Sequence, residues 1–471
     1  KKYGVHQIVC GAPNARAGLK VIVARTGAVL PLVTIEKSTI RGVDSDGMCC
    51  ALYELGVDKK YLTEKQCSGI EELPEDAEIG REDVLSYLGL DDVILDLDLL
   101  PSRSDLNAME NVALEVGTLL AREVHFPKTA QIAREKTTFS VGSVTAKCPL
   151  FAFAEAHNVV TKPSPEWLKR ILESEGVRSI NNIVDIGNYV MLLTGRPLNM
   201  YDLDKLPKQE LIVKDELEGN FLAMDDKNYS LIKGDLVVTS DNQPMCLAGI
   251  MTSKACAVDA STKNVGIEVA LFQGAAIRHT SNRLGLVSES SARFVKGLNP
   301  DETKEVMDLS LALLHDLASA SSVSEDVVYD TLSHEKKTIA TSLGYINGRL
   351  GTGFTFEQIK DVLTRDHLVY LDEKGDHFTL LIPSYRVDMS GEADVSEEVI
   401  RLLGYENIHS KLPDASLSSQ GGLTPRQKTK LAIRRHLRAN GLTEIVTYSL
   451  VDEKHADSFA YLNTGVGYKL K

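Results

Sequence analysis

Asp388, Asp394, Glu397 and Glu398 form the most concentrated acidic group in the chain. Asp394, Glu397 and Glu398 stand at i, i+3 and i+4, a spacing that puts all three carboxylates on one side of a helix. Such oxygens suit a hard divalent cation, and Mg²⁺ needs only one or two direct carboxylates because it keeps its waters. The same pattern also reads as an acidic first turn favoured by the helix dipole. No nucleophile signature accompanies it: the sequence has no G-x-S-x-G, no H-E-x-x-H, no Walker loop and no complete G-x-G-x-x-G after a strand. His279, His367 and His436 lie in unrelated segments and read as surface or packing residues.

Charge is distributed unevenly. Residues 1–41 carry seven basic side chains (Lys1, Lys2, Arg16, Lys20, Arg25, Lys37, Arg41) against Glu36 alone, whereas residues 71–100 carry eleven acids and only Arg81. The first segment could meet phosphates and the second would repel them; two solvated surfaces of opposite sign is the plainer alternative. A second basic run, Arg426, Lys428, Lys430, Arg434, Arg435 and Arg438, lies on one expected helix and fits phosphates, an acidic partner or simply water.

The elements that must position these groups follow from hydrophobic spacing. With 471 residues, 43% hydrophobic and 25% charged, the chain is long enough for several cores, and no apolar run approaches the length of a membrane span. The net charge of −14 argues against nucleic-acid binding over the whole surface. Seven scattered cysteines, with no C-x-x-C pair, suggest neither a disulfide framework nor a zinc site and fit a reducing cytoplasm. The start at Lys1, without Met or a signal-like stretch, leads us to expect that the numbering begins inside a longer protein.

The expected fold class is multidomain α+β. Strands at 7–10, 20–24, 34–38 and 47–52 imply a small OB-type barrel over 1–90. A connecting helical region over 91–147 centres on a helix from Asp105 to Val124. An α+β domain over 148–325 opens with a helix capped by Ser164, begun by Pro165, closed by Gly176 and buried through Trp167, Leu168, Ile171 and Leu172. Strands are expected there at 182–193, 211–214 and 235–239. A small helix-plus-hairpin domain over 336–410 has a capping box at Thr355 and Gln358. A last piece over 411–471 holds a helix from Thr424 to Gly441 and a strand from Glu444 to Leu450, too little for a core of its own.

Taken together, these segments resemble the family of bacterial phenylalanyl-tRNA synthetase β subunits along almost the whole chain. In the barrel the likeness lies in Cys10-Gly11-Ala12-Pro13-Asn14-Ala15-Arg16 and Arg41-Gly42-Val43-Asp44-Ser45-Asp46-Gly47-Met48; Pro101-Ser102-Arg103-Ser104-Asp105 is similar to the junction that follows. In the central domain it lies in Asn182-Ile183-Val184-Asp185-Ile186-Gly187-Asn188-Tyr189, Leu247-Ala248-Gly249-Ile250-Met251 and Ser288-Glu289-Ser290-Ser291-Ala292-Arg293-Phe294. Pro383-Ser384-Tyr385-Arg386-Val387-Asp388 and Gly404-Tyr405-Glu406-Asn407-Ile408 resemble the family's P-S-x-R-x-D and G-Y-x-x-I region, and Thr424 to Leu450 the start of its catalytic-like module.

The resemblance implies an OB-type tRNA-binding domain with Arg16, Lys20, Arg25, Lys37 and Arg41 as contacts, an editing domain that hydrolyses tyrosine-mischarged tRNA, and Mg²⁺ at Asp388, Asp394, Glu397 and Glu398 shared with an α subunit. It implies a cytoplasmic (αβ)₂ ligase in which α handles ATP and phenylalanine for tRNA(Phe), with this chain incomplete at both ends. Departures fall at editing positions: Gly187 stands where the family has Thr, Asn199 where it has His, and Thr252-Ser253 where it has two glycines. Only Asn188 and Glu268 remain as expected catalytic residues of that pocket, so editing should be weak or absent. The competing readings are a non-catalytic tRNA-binding or interaction protein built from the same domains, and a free-standing editing hydrolase that Gly187 and Asn199 disfavour.

Overall fold

Glycine-punctuated short strands build the N-terminal region of the computed structural model, which describes residues 4–412, 421–450 and 452. Val23–Arg25 pairs antiparallel with Gly47–Cys49, and Ser38–Ile40 pairs with Val43–Ser45 across a turn in which Arg41 and Gly42 both take positive φ. Ile22, Ala24, Ile35 and Cys50 form its small core. The expected strand at 7–10 is extended chain without a ladder of its own, and the pairing elsewhere is limited to short ladders and single bridges.

A turn at Ser104–Asn107 and a helix at Met109–Leu120 connect this region to the central domain. There a five-stranded sheet runs in the order Met251–Thr252, Gln243–Leu247, Val237–Ser240, Glu210–Lys214, Ser140–Ser143. It packs on a six-stranded sheet centred on Leu150–His157 and Val265–Leu271, whose outer face is covered by the helices Asn182–Thr194 and Thr303–Ala318. Strand alternation sorts the side chains between these layers. Val265, Ile267 and Val269 meet the helices, while Phe151, Phe153, Tyr201 and Ala270 meet the five-stranded sheet.

Three sequence expectations fail here. Residues 182–193 form a helix, not a strand: Asn181 accepts the amides of Ile183 and Val184, and Ile183, Ile186 and Val190 bury one helical face despite their β-branched side chains. In the helix Glu166–Ser174, Leu168 and Leu172 are buried but Trp167 and Ile171 are 44% and 40% exposed. Ser164 does not cap that helix; its hydroxyl donates to Asp185, tying it to the next helix.

The small domain has a three-stranded sheet, Thr338–Ser342, His377–Leu381, Val369–Lys374, with Phe356–Arg365 and Glu392–Leu403 packed through Ile359, Val362, Leu363, Val395 and Val399. Its capping box is formed as expected, Thr355 accepting the Gln358 amide and Gln358 the Thr355 amide. Contacts divide the chain into Lys1–Ile408 and His409–Lys471. Within the second unit the helix Pro425–Ala439 is capped by Thr424 and Gln427. Residues 444–450 are not a strand; among the described residues no strand pairs with them, and one extended segment cannot hold a ladder alone. Among the described residues no helix is long and apolar enough to cross a membrane.

Candidate functional site

The alternation that sends Ile267 and Val269 toward the helices sends Glu268 between the two sheets, where its side chain is almost fully buried. Asn199 lies directly opposite it on one neighbouring strand and Phe153 on the other. A cavity of about 220 Å³ opens beside it. Asn199, Cys246, Thr252, Glu268 and Ser290 supply its polar lining; Leu198, Met224, Ile250, Met251 and Phe294 supply apolar walls.

Burial pushes the Glu268 carboxyl up to about 7, against the opposing pull of the Tyr201 hydroxyl and the Asn199 amide. Tyr201, fully buried, donates its hydroxyl hydrogen bond to Glu268. The Thr252 hydroxyl donates to Asn199 Oδ1, and Asn199 Nδ2 is buried without a hydrogen-bond partner among the described residues. Burial, reinforced by Glu268, holds the Cys246 thiol well above its ordinary range, so it is not a nucleophile at neutral pH. A carboxyl near neutrality can take or give a proton, yet no imidazole lines the cavity to share that work.

The expected editing residues are therefore only partly brought together. Asn199, Thr252 and Glu268 share the cavity; Asn188 does not line it. Asn188 sits half-buried on the helix Asn182–Thr194, beside Gly187, where an added Cβ would lie 3.3 Å from Leu198 Cδ1 and 3.7 Å from Met200 Cε. That helix packs on the face of the sheet opposite to Glu268.

The acidic group around 388–398 is organised by arginine. Arg386, 1% exposed in its side chain, bonds Asp366, Asp388 and Glu398 at 2.9 Å each. Although burial disfavours its charge, Arg386 and Arg401 hold the Glu398 carboxyl below the usual carboxylate range. Burial and the Glu398 charge push the Asp366 carboxyl above the usual carboxylate range. Arg401 also pairs with Glu115, which Arg103 bonds at 2.9 Å while chelating Asp105. Asp394 accepts the amides of Ser390 and Gly391 at 2.6 and 2.8 Å, closing the start of the helix Glu392–Leu403, and Glu397 stands exposed.

The four carboxylates thus do not converge on a point. Two already face a guanidinium, which would repel a cation, and among the described residues no group of three or more His, Cys, Asp or Glu side chains is arranged to hold a metal ion. Within this chain the donor set does not fit Mg²⁺. Sequence reasoning missed Arg386 and Arg103 as organisers, although a signal existed: Arg81-x-Asp83, Arg103-x-Asp105 and Arg386-x-Asp388 each form the same two-bonded chelate. Tyr201 and Cys246 were missed because their partners lie far away in sequence.

The five expected phosphate contacts also separate. Arg16 is paired with Glu72 at 2.9 Å, and Lys20 donates to the carbonyls of Glu75 and Ala77. Arg25, Lys37 and Arg41 are exposed, on the strand paired with Gly47, before the neighbouring hairpin and at its tip. In the second unit, the helix Pro425–Ala439 exposes its basic residues, with Arg434 at 2.8 Å from Glu444.

Four family models match parts of the chain. Residues 2–82 match a tRNA-binding domain, 147–319 a B3/4 domain, 339–405 a tRNA synthetase B5 domain, and 408–466 a phenylalanyl tRNA synthetase beta chain CLM domain. The phenylalanine–tRNA ligase beta subunit of Streptococcus thermophilus is 40% identical over 462 residues, 97% of this chain and 57% of that protein. That of Streptococcus mutans is 39% identical over 458 residues, 96% and 57% respectively. The chain spans little more than half the length of these relatives. An N-terminal fragment of the phenylalanyl-tRNA synthetase beta subunit from Pyrococcus horikoshii covers 69% of the chain and 93% of its own length at 17% identity and a TM-score of 0.36, too low to support any statement about geometry.

Proposed function

The chain belongs to the family of phenylalanine–tRNA ligase beta subunits, and from that premise we propose that it serves the ATP-dependent charging of tRNA(Phe) with phenylalanine. In this reading it binds tRNA, joins an alpha subunit that handles ATP and phenylalanine, and carries an editing-type domain, in a cytoplasmic (αβ)₂ assembly. The observation that carries the reading is 40% identity sustained over 97% of the chain. The barrel spans 1–90, the connector 91–147, the editing-type domain 148–325, the small domain 336–410 and the catalytic-like piece 411–471. Arg25, Lys37 and Arg41 meet the tRNA backbone; Arg16 and Lys20 shape the loops beside them. Any Mg²⁺ shared between subunits takes donors from the partner in addition to exposed Glu397, because Arg386 holds Asp388 and Glu398.

Editing is weak or absent in this reading. Asn199 offers no imidazole, Thr252 lines the cavity with its hydroxyl bonded to Asn199, and Asn188 does not line the cavity that holds Glu268. The test is hydrolysis of tyrosine-mischarged tRNA(Phe) by the chain assembled with its alpha subunit, beside Glu268→Ala and the double variant Asn199→His, Thr252→Gly. We expect little hydrolysis by the parent chain and more by the double variant. Parent hydrolysis equal to that of an intact relative and lost in Glu268→Ala would overturn the impaired-editing proposal, and failure to assemble with any alpha subunit would overturn the subunit role.

A further inference from the structure

Residues 331–337 strap the central domain to the small domain, running from the strand Val327–Asp330 to the strand Thr338–Ser342. Both ends are tied by backbone: the Thr331 amide donates to the Pro149 carbonyl at 2.8 Å, and the Ile382 amide to the Lys337 carbonyl at 2.9 Å. Between these ties, among the described residues, His334 is the one side chain of 332–336 with a hydrogen-bond or ion-pair partner. Its Nε2 lies 2.9 Å from Asp330 Oδ2, and its Nδ1 lies 3.7 Å from Asp301 Oδ1, just ahead of the helix Thr303–Ala318. Pro300, Asp301, His334 and Lys336 line both a cavity of about 690 Å³ on the small-domain side and one of about 470 Å³ on the central-domain side. The clasped strap is thus the wall between them.

We propose that His334 is a proton-operated clasp: as an imidazolium it bridges Asp330 and Asp301 and holds the strap down, and on losing its proton it releases Asp301 and frees residues 332–336. A neutral imidazole has one N–H and one lone pair, so with the Nε2 proton given to Asp330 it turns the Nδ1 lone pair toward the Asp301 carboxylate. The doubly protonated ring alone faces both acids favourably. The hydrogen bond and charge of Asp330 raise the ring above its ordinary 6.5, desolvation opposes them, and Asp301 adds to the rise. Of the other charges that line the two cavities, Lys304 is taken by Asp308, Asp326 by Arg134 and Arg386 by three carboxylates. Glu335, Lys336 and Lys337 are exposed, and burial lowers His367, whose ring is neutral at pH 7. The clasp is therefore complete below the ordinary histidine value and is lost as pH rises through the raised one. Opening it joins the two cavities into one cleft between the domains, so that proton activity governs access to the cleft. This clasp does not depend on the ligase reading.

The test labels histidine Cε1 with ¹³C in the intact chain, follows the ring resonances by NMR across pH, and assigns His334 as the signal missing from His334→Gln. His334 should titrate above the ordinary 6.5, and Asp301→Asn should lower its midpoint. Limited trypsin cleavage after Lys336 and Lys337 reads the strap itself, with each rate divided by that of an unstructured peptide of residues 328–342 at the same pH to remove the enzyme's own pH dependence. This ratio should rise severalfold from about pH 6.5 to about pH 8.5 in the parent, and should be high at both in His334→Gln. A His334 midpoint at or below 6.5, a midpoint unmoved by Asp301→Asn, or a parent cleavage ratio that does not change with pH would each overturn the proposal. If Asp301→Asn fails to fold, the parent titration and the cleavage of parent against His334→Gln decide it alone.

Discussion

Glu268 is the residue on which the central cavity turns, and its environment sets a pH dependence with a definite sign. Its carboxyl titrates near 7 in the folded chain against an ordinary value of 4.5, so the folded state holds its proton to higher pH than the unfolded one. The favourable contribution is complete below about pH 4.5, declines as pH rises, and is lost above about 7. The shift corresponds to roughly 3 kcal/mol. Glu268→Gln cannot ionise, so denaturant unfolding should show it gaining about 3 kcal/mol on the parent between pH 5 and pH 8. A difference that does not change with pH would mean the carboxyl is ionised throughout.

At this scale the sequence was only partly legible. Glu268, Asn199 and Thr252 could be singled out by resemblance, and the cavity unites them. The hydroxyl of Tyr201 could not be assigned to Glu268, because the strand pairing that joins them links positions 67 residues apart. The carboxylates at 388–398 were legible as a cluster, but spacing along a helix says nothing of a guanidinium arriving from outside it.

Among the elements, the strand Val265–Leu271 is the most constrained, since it is paired on both sides and covered on both faces. Gly266 is required there by close approach: a Cβ would fall 2.3 Å from Phe153 Cζ and 2.8 Å from Leu203 Cδ2. Phe153 is itself fully buried and stacked on Phe139 with ring centres 4.1 Å apart, so it has nowhere to move. Gly266→Ala should cost about 1–3 kcal/mol in thermal or denaturant unfolding. Elements with local signals were read well: the capping pairs Thr355 with Gln358 and Thr424 with Gln427 mark helix starts that the structure contains. Residues 182–193 were misread because their β-branched residues resemble a strand, while the deciding signal, the Asn181 cap, is a single side chain.

Across the larger unit, the chain of charges Arg103, Glu115, Arg401, Glu398, Arg386 and Asp366 joins the connecting helix to the small domain. Removing Arg386 would leave Asp366, Asp388 and Glu398 facing one another with far less compensation. Arg386→Ala should therefore destabilise by about 3 kcal/mol or more, more than a truncation at an exposed ion pair such as Lys360 with Glu373. A loss no larger than at that exposed pair would show the network to be solvated. The basic patch makes a separate prediction at this scale. Lys37→Ala with Arg41→Ala should weaken tRNA binding similarly across sequences and flatten its dependence on salt by about one unit of slope for each phosphate no longer neutralised, read by filter binding at several salt concentrations.

The half-exposed Trp167 has a use in measurement. It is the single tryptophan of the chain and stands edge-on to Tyr189, with ring centres 5.6 Å apart. Emission excited selectively at the indole therefore arises from the central domain alone, and a red shift on denaturation reports the opening of that domain while the barrel and the small domain stay dark. Comparing that signal with far-ultraviolet circular dichroism, which sees every helix, would reveal whether the charge network makes the domains unfold together or lets them part in sequence.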